Sequence, residues 1–521
     1  MPERVLRANG LTVRISPVTR SGTGLLAEPA RVLEARAVRS ALDGARSRVL
    51  AMDVDDDENG DGPATFAATI YDYDHRRTLV ASGPADDPGA AEVAPTAAQP
   101  RPDADEFDEA VEVLRRDDEV GAALSSGDLV AYPAMPPLAN VTLPDGTVER
   151  TVTVGLHETG DGSVAHRFAA VNLVTGAVRH DPAAAPRAAT ADCGVRPRDG
   201  CPVTPRSGPV RVRVDRGDER LWDAIVRRPR ISSGVNGSGV ELRDVRYRGR
   251  RVLRRAHVPI LNVRYDRSVP LDGCGPTYRD WLDEEACFVA NGRDVLPGYR
   301  ACATPPKTIF EAGHDRGNFR GVTFHIRDTQ LVMLSETSAG WYRYVSEWRL
   351  GANGSIRPIF GFDAVRNVCT CKAHTHHAYW RLDWKLGGQP ASVEEFNDPP
   401  LSGMAGNWHT IRREMHRRRD PGRDRRWRIT TANGTGYVIA PGDNDGIADW
   451  FGAGDLWVLR RRAGQIDDGF PPTNRADIER FVNGADVTDT DLVLWYAGHF
   501  THAPGEERDH HVGPVLRPIG G

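Results

Sequence analysis

The sequence predicts a mainly β protein in which a large C-terminal β-sandwich catalytic domain follows two small α+β modules. Two segments rich in proline, alanine and glycine, residues 83 to 101 and 182 to 209, divide the chain into three pieces. The first two pieces mix helical and alternating hydrophobic patterns. From about residue 206 onward, short alternating runs are separated by Gly, Pro, Asn and Asp with no sustained helical period. Such a stretch is most economically two packed sheets. Domains spanning residues 1 to 90, 102 to 185 and 206 to 521 follow, and 521 residues suffice for all three.

In the first piece, Phe66, Ala68 and Ile70 alternate with other residues, and Asp74, His75 and Arg76 turn the chain into Thr78, Leu79 and Val80, which reads as a hairpin. The acidic run from Asp53 to Gly62 lacks the closing glutamate of a calcium loop, Phe66 standing in its place, and reads as a solvated turn. The second piece opens with Phe107, Ala110, Val111 and Leu114 at helical spacing behind Asp105 as the expected cap. Strands follow, with Val152, Val154 and Leu156 alternating, then Val171 and Leu173 before the Thr175-Gly176 turn.

With 67 basic and 72 acidic residues, neither sign dominates enough to attract nucleic acid or a membrane surface. Small molecules or other subunits are the expected partners. The opening MPERVLRANG has no apolar stretch of leader length, and no run approaches the ~20 apolar residues that span a bilayer. The expectation is a soluble, cytoplasmic chain. Seven cysteines in this length do not suggest a disulfide framework, and only Cys369 and Cys371 lie close together. They read as a coincidence, a redox pair or an auxiliary soft ligand site.

The chemistry-bearing pattern is His374-Thr375-His376 in a segment of strand character, where residues two apart share a face and stand ~7 Å apart. Two imidazoles so placed converge on one metal ion. The same spacing fits a chance pair on a half-buried strand, because the chain has 16 histidines and His377 is adjacent. Near the C-terminus, Leu492 to Tyr496 reads as a buried strand, followed by His499 and His502, either of which completes a site. Three neutral imidazoles suit copper or zinc.

These residues carry a resemblance to the copper amine oxidases that extends over almost the whole chain. In that family a His-x-His pair is followed by Arg-Leu-Asp at fixed distance, as here by Arg381-Leu382-Asp383. A third family histidine follows a segment similar to Asp491-Leu492-Val493-Leu494-Trp495 and corresponds to His502. The resemblance therefore implies copper held by His374, His376 and His502. The segment Tyr278-Arg279-Asp280-Trp281-Leu282-Asp283 resembles the family's base segment and implies Asp283 as the catalytic base, its pKa raised by burial. Val263-Arg264-Tyr265-Asp266 resembles the family segment whose tyrosine hydrogen-bonds the cofactor oxygen, which gives Tyr265 that role.

The family converts a tyrosine within Thr-x-x-Asn-Tyr-Asp/Glu into topaquinone with copper and oxygen. Here the matching run is Ser338-Ala339-Gly340-Trp341-Tyr342-Arg343-Tyr344, so Tyr342 is the expected precursor, flanked by Trp341 and Arg343 in place of a small amide and an anion. Arg343 either faces the ring, where it repels a protonated amine or recruits a carboxylate, or faces away and pairs with a carboxylate on a neighbouring strand. Lys385 stands at a position that supplies a third carboxylate to a peripheral calcium site in many relatives, so calcium is not expected. The resemblance implies oxidative deamination of a primary amine to an aldehyde with O2 reduced to hydrogen peroxide, in a homodimer, with a place in specialised metabolism. The alternatives are a copper oxidase on the same scaffold with Tyr342 unmodified, and a non-catalytic relative that binds a ligand or a partner subunit.

Overall fold

The computed structural model describes residues 3–18, 23–55, 64–96, 99–139, 141–142, 148–158, 166–180, 193–195, 201–202, 204–265, 277–367, 369–448, 453–462, 464–469, 475–502 and 511–520. Two large, mainly antiparallel sheets, of 11 and 12 strands among the described residues, form a sandwich. Their apolar faces share one core in which Trp222, Trp341, Trp348, Trp380 and Trp427 are buried. The predicted mainly β architecture with a C-terminal sandwich is what the chain adopts.

The first small module is a sheet of the strands Ser47–Asp55, Thr65–Asp72, Arg77–Pro84 and Glu92–Thr96. The helices Thr23–Ala27 and Arg36–Leu42 pack on it through Leu25, Leu26, Val38 and Leu42. The hairpin expected around Asp74 to Arg76 is present. Part of the expected linker is itself structured, because Glu92–Thr96 pairs with Arg77–Pro84. The acidic run falls largely in residues 56 to 63, outside the described residues. Strands Arg4–Ala8 and Leu11–Pro17 do not join this module. Leu11–Pro17 pairs with Val210–Arg216 and extends the larger domain's sheet, because Leu11, Val13 and Ile15 put an apolar face into that core.

In the second module, the helix Ala104–Leu114 packs on the sheet made by Leu129–Leu138, Thr151–Glu158, His166–Asn172 and Val178–His180. Its cap is Asp103, not Asp105: the Asp103 carboxylate accepts the Glu106 backbone N–H at 2.9 Å, while Asp105 sits in the first turn. Glu106 is fully buried and locked by Arg150 and by the Tyr73 hydroxyl at 2.6 Å, which joins the two small modules. Burying a carboxylate is costly unless it is paired and hydrogen-bonded in this way.

The cysteine expectation is overturned. Cys193 is bonded to Cys371 and Cys201 to Cys287, across 178 and 86 residues, and Cys369 is also in a disulfide. The spacing of Cys369 and Cys371 suggests a local role, but Cys371 bonds to Cys193 across 178 residues, a partner that only the fold brings near. The buried Cys302 is free.

Candidate metal and cofactor site

The strand His374–Trp384 is buried along its whole length, between Arg250–Tyr265 on one side and Leu492–His502 on the other. Register puts Tyr265 and His502 opposite His374, and Val263 and Phe500 opposite His376. Alternation aims His374 and His376 at the facing sheet and turns His377 the other way. There His377 Nδ1 lies 2.7 Å from His499 Nδ1, and His499 Nε2 lies 2.9 Å from Asp455. His499 is thus on the opposite face from the His374–His376 pair.

The His374 ring lies 5.0 Å from the His376 ring and 5.0 Å from the His502 ring, centroid to centroid. Imidazoles sharing one ion through bonds of ~2.0–2.1 Å have centroids about 5 Å apart at tetrahedral angles. His374 Nδ1 lies 2.6 Å from the Lys372 carbonyl oxygen, which only accepts. The proton is therefore on Nδ1, and Nε2 carries the lone pair a metal would use. Phe362 stacks on His376 at 3.6 Å. As the rings stand, no three His, Cys, Asp or Glu side chains close around a common point among the described residues. The donor set itself, three imidazoles with the tautomer of one fixed by a backbone carbonyl, fits a copper ion.

The facing sheet contributes the strand Tyr342–Gly351. The Tyr342 ring, fully buried, lies 5.4 Å from the His374 ring and 4.7 Å from the His376 ring. Its hydroxyl is 2.6 Å from the Tyr265 hydroxyl, to which the Trp341 indole N–H also donates at 3.1 Å. Burial holds the Tyr342 and Tyr265 phenols neutral by pushing both pKa values far up. Two residues along the same face, the Tyr344 hydroxyl donates to Asp280 and lies 3.3 Å from His376 Nδ1.

Asp280 is the carboxylate that reaches this cluster. It ends the strand Thr277–Asp280, opposite Leu261 on the Tyr265 strand, and is 1% exposed. Burial raises its pKa to about 7, with the Tyr344 hydrogen bond opposing in part. Asp283, three residues on, does not join the cluster. Its half-buried carboxylate is paired with Arg101 and lines a cavity between the sandwich and the small modules. The chain leaves strand geometry after Asp280, which carries Asp283 out of the interior.

Arg343 faces away from the Tyr342 ring, as alternation along the strand requires. Its guanidinium meets both oxygens of buried Asp315 at 2.8 Å and caps the Gly340 and Tyr342 carbonyls at 3.3 and 3.1 Å. At the peripheral site, Lys385 Nζ lies 2.8 Å from Asp491, and Arg254 bonds both Asp491 and Asp383. Arg381 and Arg461 lie 3.5 and 3.4 Å from Asp383. Sequence reasoning missed Asp280, Tyr344, Phe362 and Asp315. For Asp280 the signal was available: Tyr278 and Asp280 are two apart on one strand, and Tyr278 stands edge-on to Tyr265 at 6.0 Å.

The fold that carries this site is the copper amine oxidase scaffold. The chain is similar to the copper-containing benzylamine oxidase from Hansenula polymorpha, with a TM-score of 0.62 at 12% identity over 97% of each chain. It is also similar to an amine oxidase of Aspergillus nidulans, with a TM-score of 0.58 at 12% identity, covering 100% of this chain and 90% of that one. The lysyl oxidase of Pichia pastoris gives 0.55 at 12% identity over 97% and 91%. No family model matches the chain, and no curated protein matches it in sequence.

Proposed function

We propose that this chain is a copper-dependent oxidase of primary amines that uses a quinone made from Tyr342. The observation that carries the reading is the convergence of Tyr342 on Tyr265 at 2.6 Å and on the His374 and His376 rings at 5.4 and 4.7 Å, sealed in the core. His374, His376 and His502 would hold the copper. Bound copper and the quinone would supply the electron chemistry that turns an amine, water and O2 into an aldehyde, ammonia and hydrogen peroxide.

The chain's own groups do the rest. Tyr265, itself oriented by the Trp341 indole, fixes the oxygen of residue 342 with a short hydrogen bond. Asp280, rather than Asp283, is the base, because a carboxyl with a pKa near 7 exchanges a proton efficiently at neutral pH. Tyr344 links that carboxyl to His376 and holds its orientation. Burial of the cluster excludes bulk water and strengthens each of these interactions.

Lys385, Arg254, Arg381 and Arg461 supply the positive charge around Asp383 and Asp491, so no calcium is required there. The disulfides favour an oxidising compartment over the cytoplasm, because reducing cytosol keeps thiols free. No helix among the described residues is long and apolar enough to cross a membrane. A homodimer is the expected assembly.

A second reading keeps Tyr342 unmodified beside a copper ion that acts directly. The burial that holds this phenol neutral favours it, since oxidation of the ring proceeds more easily from the phenolate. Copper loading under air decides between the two, read by visible absorption, phenylhydrazine titration and intact mass, with Tyr342→Phe as control. A quinone band, a hydrazone and a mass gain lost in the variant support the amine oxidase. Bound copper without any of them leaves the second reading.

A further inference from the structure

Between the two small modules and the sandwich lies a cavity of about 320 Å3, at the small end of ligand sites, which run roughly from 300 to 1,000 Å3. Its walls carry both signs of charge. The cations Arg206 and Arg230 line it together with the carboxylates Asp103, Asp283, Glu284 and Asp467. Most of these groups are already engaged. Arg101 takes Asp283 and lies 3.8 Å from Glu284, while Asp467 accepts the Val235 and Gly469 backbone N–H groups at 2.6 and 2.8 Å.

Arg206 is the exception. Among the described residues it makes no hydrogen bond and no ion pair, although it is partly buried in the cavity wall. Among the described residues, the side chain of its companion Arg230 has only the Thr204 carbonyl at 3.2 Å and the exposed Asp105 at 4.0 Å. Burial first, and repulsion by Arg230 second, lower the pKa of Arg206, with the Asp103, Asp105 and Asp283 carboxylates opposing in part. Paired cations held together away from bulk water are stabilised by an anion, and a guanidinium fork matches a carboxylate in both shape and donors.

The cavity is close to the buried cluster. Asp280 lies in the cluster and Asp283 in the cavity wall, and three residues of chain span at most roughly 10 Å. Trp281 lies between them, with the Arg101 guanidinium 5.0 Å from its ring.

We propose that this cavity receives the carboxylate end of the substrate, a primary amine that also carries a carboxylate, with Arg206 and Arg230 as its anchor. The proposal rests on the reading of the chain as an amine oxidase, and binding separates the two. Calorimetry with 6-aminohexanoate, hexanoate and hexylamine is run on the full chain, on Arg206→Gln and on the charge-preserving Arg206→Lys. Both carboxylates are expected to bind, with a loss of about tenfold in Arg206→Gln that Arg206→Lys partly restores. Copper-loaded enzyme should show a correspondingly lower KM for 6-aminohexanoate than for hexylamine. Carboxylate binding that is absent, or unchanged in Arg206→Gln, overturns the proposal. Equal KM values for the two amines overturn it while leaving the amine oxidase intact. A protein that forms no quinone yet binds 6-aminohexanoate through Arg206 keeps the carboxylate site and loses the oxidase reading.

Discussion

Replacing Asp280 with asparagine removes the one carboxylate that reaches the cluster among the described residues and changes how stability depends on pH in the metal-free protein. Burial raises its pKa from 3.8 to about 7, and each unit is worth ~1.4 kcal/mol, so the full effect is about 4 kcal/mol. Because the folded state holds this proton more tightly than the unfolded chain, the contribution is complete below pH ~4 and is lost as pH rises through 7. Between pH 5 and pH 8 the wild type should lose roughly 2 to 3 kcal/mol that Asp280→Asn does not. Urea unfolding followed by tryptophan fluorescence reads the sandwich directly, since Trp341, Trp348 and Trp380 lie in its core. Parallel pH profiles for wild type and variant would mean that Asp280 titrates like an exposed carboxylate, and the assignment of the base would fall with it. In copper-loaded enzyme, kcat should drop by about 10²- to 10⁴-fold in Asp280→Asn, and by far less in Asp283→Asn.

Arg343→Met removes the two-point partner of the buried Asp315 carboxylate and should cost about 3–5 kcal/mol in urea, much of it recovered by adding Asp315→Leu. Removing the Cys201–Cys287 bond by a double serine substitution opens an 86-residue separation, for which chain entropy predicts a loss of roughly 4 to 5 kcal/mol; a non-reducing peptide map checks the pairing first. Lys385→Ala should cost less than about 1 kcal/mol, because Asp491 is 34% exposed and keeps Arg254. Calcium should leave the wild-type Tm unchanged, and a rise on titration would show that the ion displaces Lys385. Trp341→Phe removes one hydrogen bond to Tyr265 and should destabilise by about 1 kcal/mol, with slower quinone formation followed by absorbance.

The sandwich and the histidine strands were legible because both are written locally. Alternation and turn residues mark strands, and the step of two from His374 to His376 marks a shared face. What depended on register was less accessible. Asp280 and Asp283 sit in the same short segment, and only the end of strand pairing at Asp280 decides which turns inward. Long-range pairing was invisible for the same reason: nothing near Cys371 in sequence points to Cys193, and nothing in the first 17 residues says that they complete a sheet starting 193 residues later. The helix cap at Asp103 instead of Asp105 is a smaller case, in which two aspartates satisfy the same pattern and backbone geometry chooses.

The flanks of Tyr342 show how one sheet tolerates residues that composition alone would judge disruptive. In a strand, neighbours point to opposite faces, so a cation at 343 need not share the environment of the ring at 342. The cost of burying it is met on the far face by the two-point pairing with Asp315. Trp341 precedes the strand, at the Gly340 turn where φ is +55°, and is free of that alternation. Its indole swings toward the facing sheet and donates to Tyr265, the hydroxyl that in turn holds Tyr342. A bulky donor thus reaches the residue-342 oxygen through one intermediate hydroxyl. Loss of the Tyr265 hydroxyl should therefore disturb Tyr342 more than loss of the Trp341 indole, and quinone formation in Tyr265→Phe beside Trp341→Phe measures that order directly.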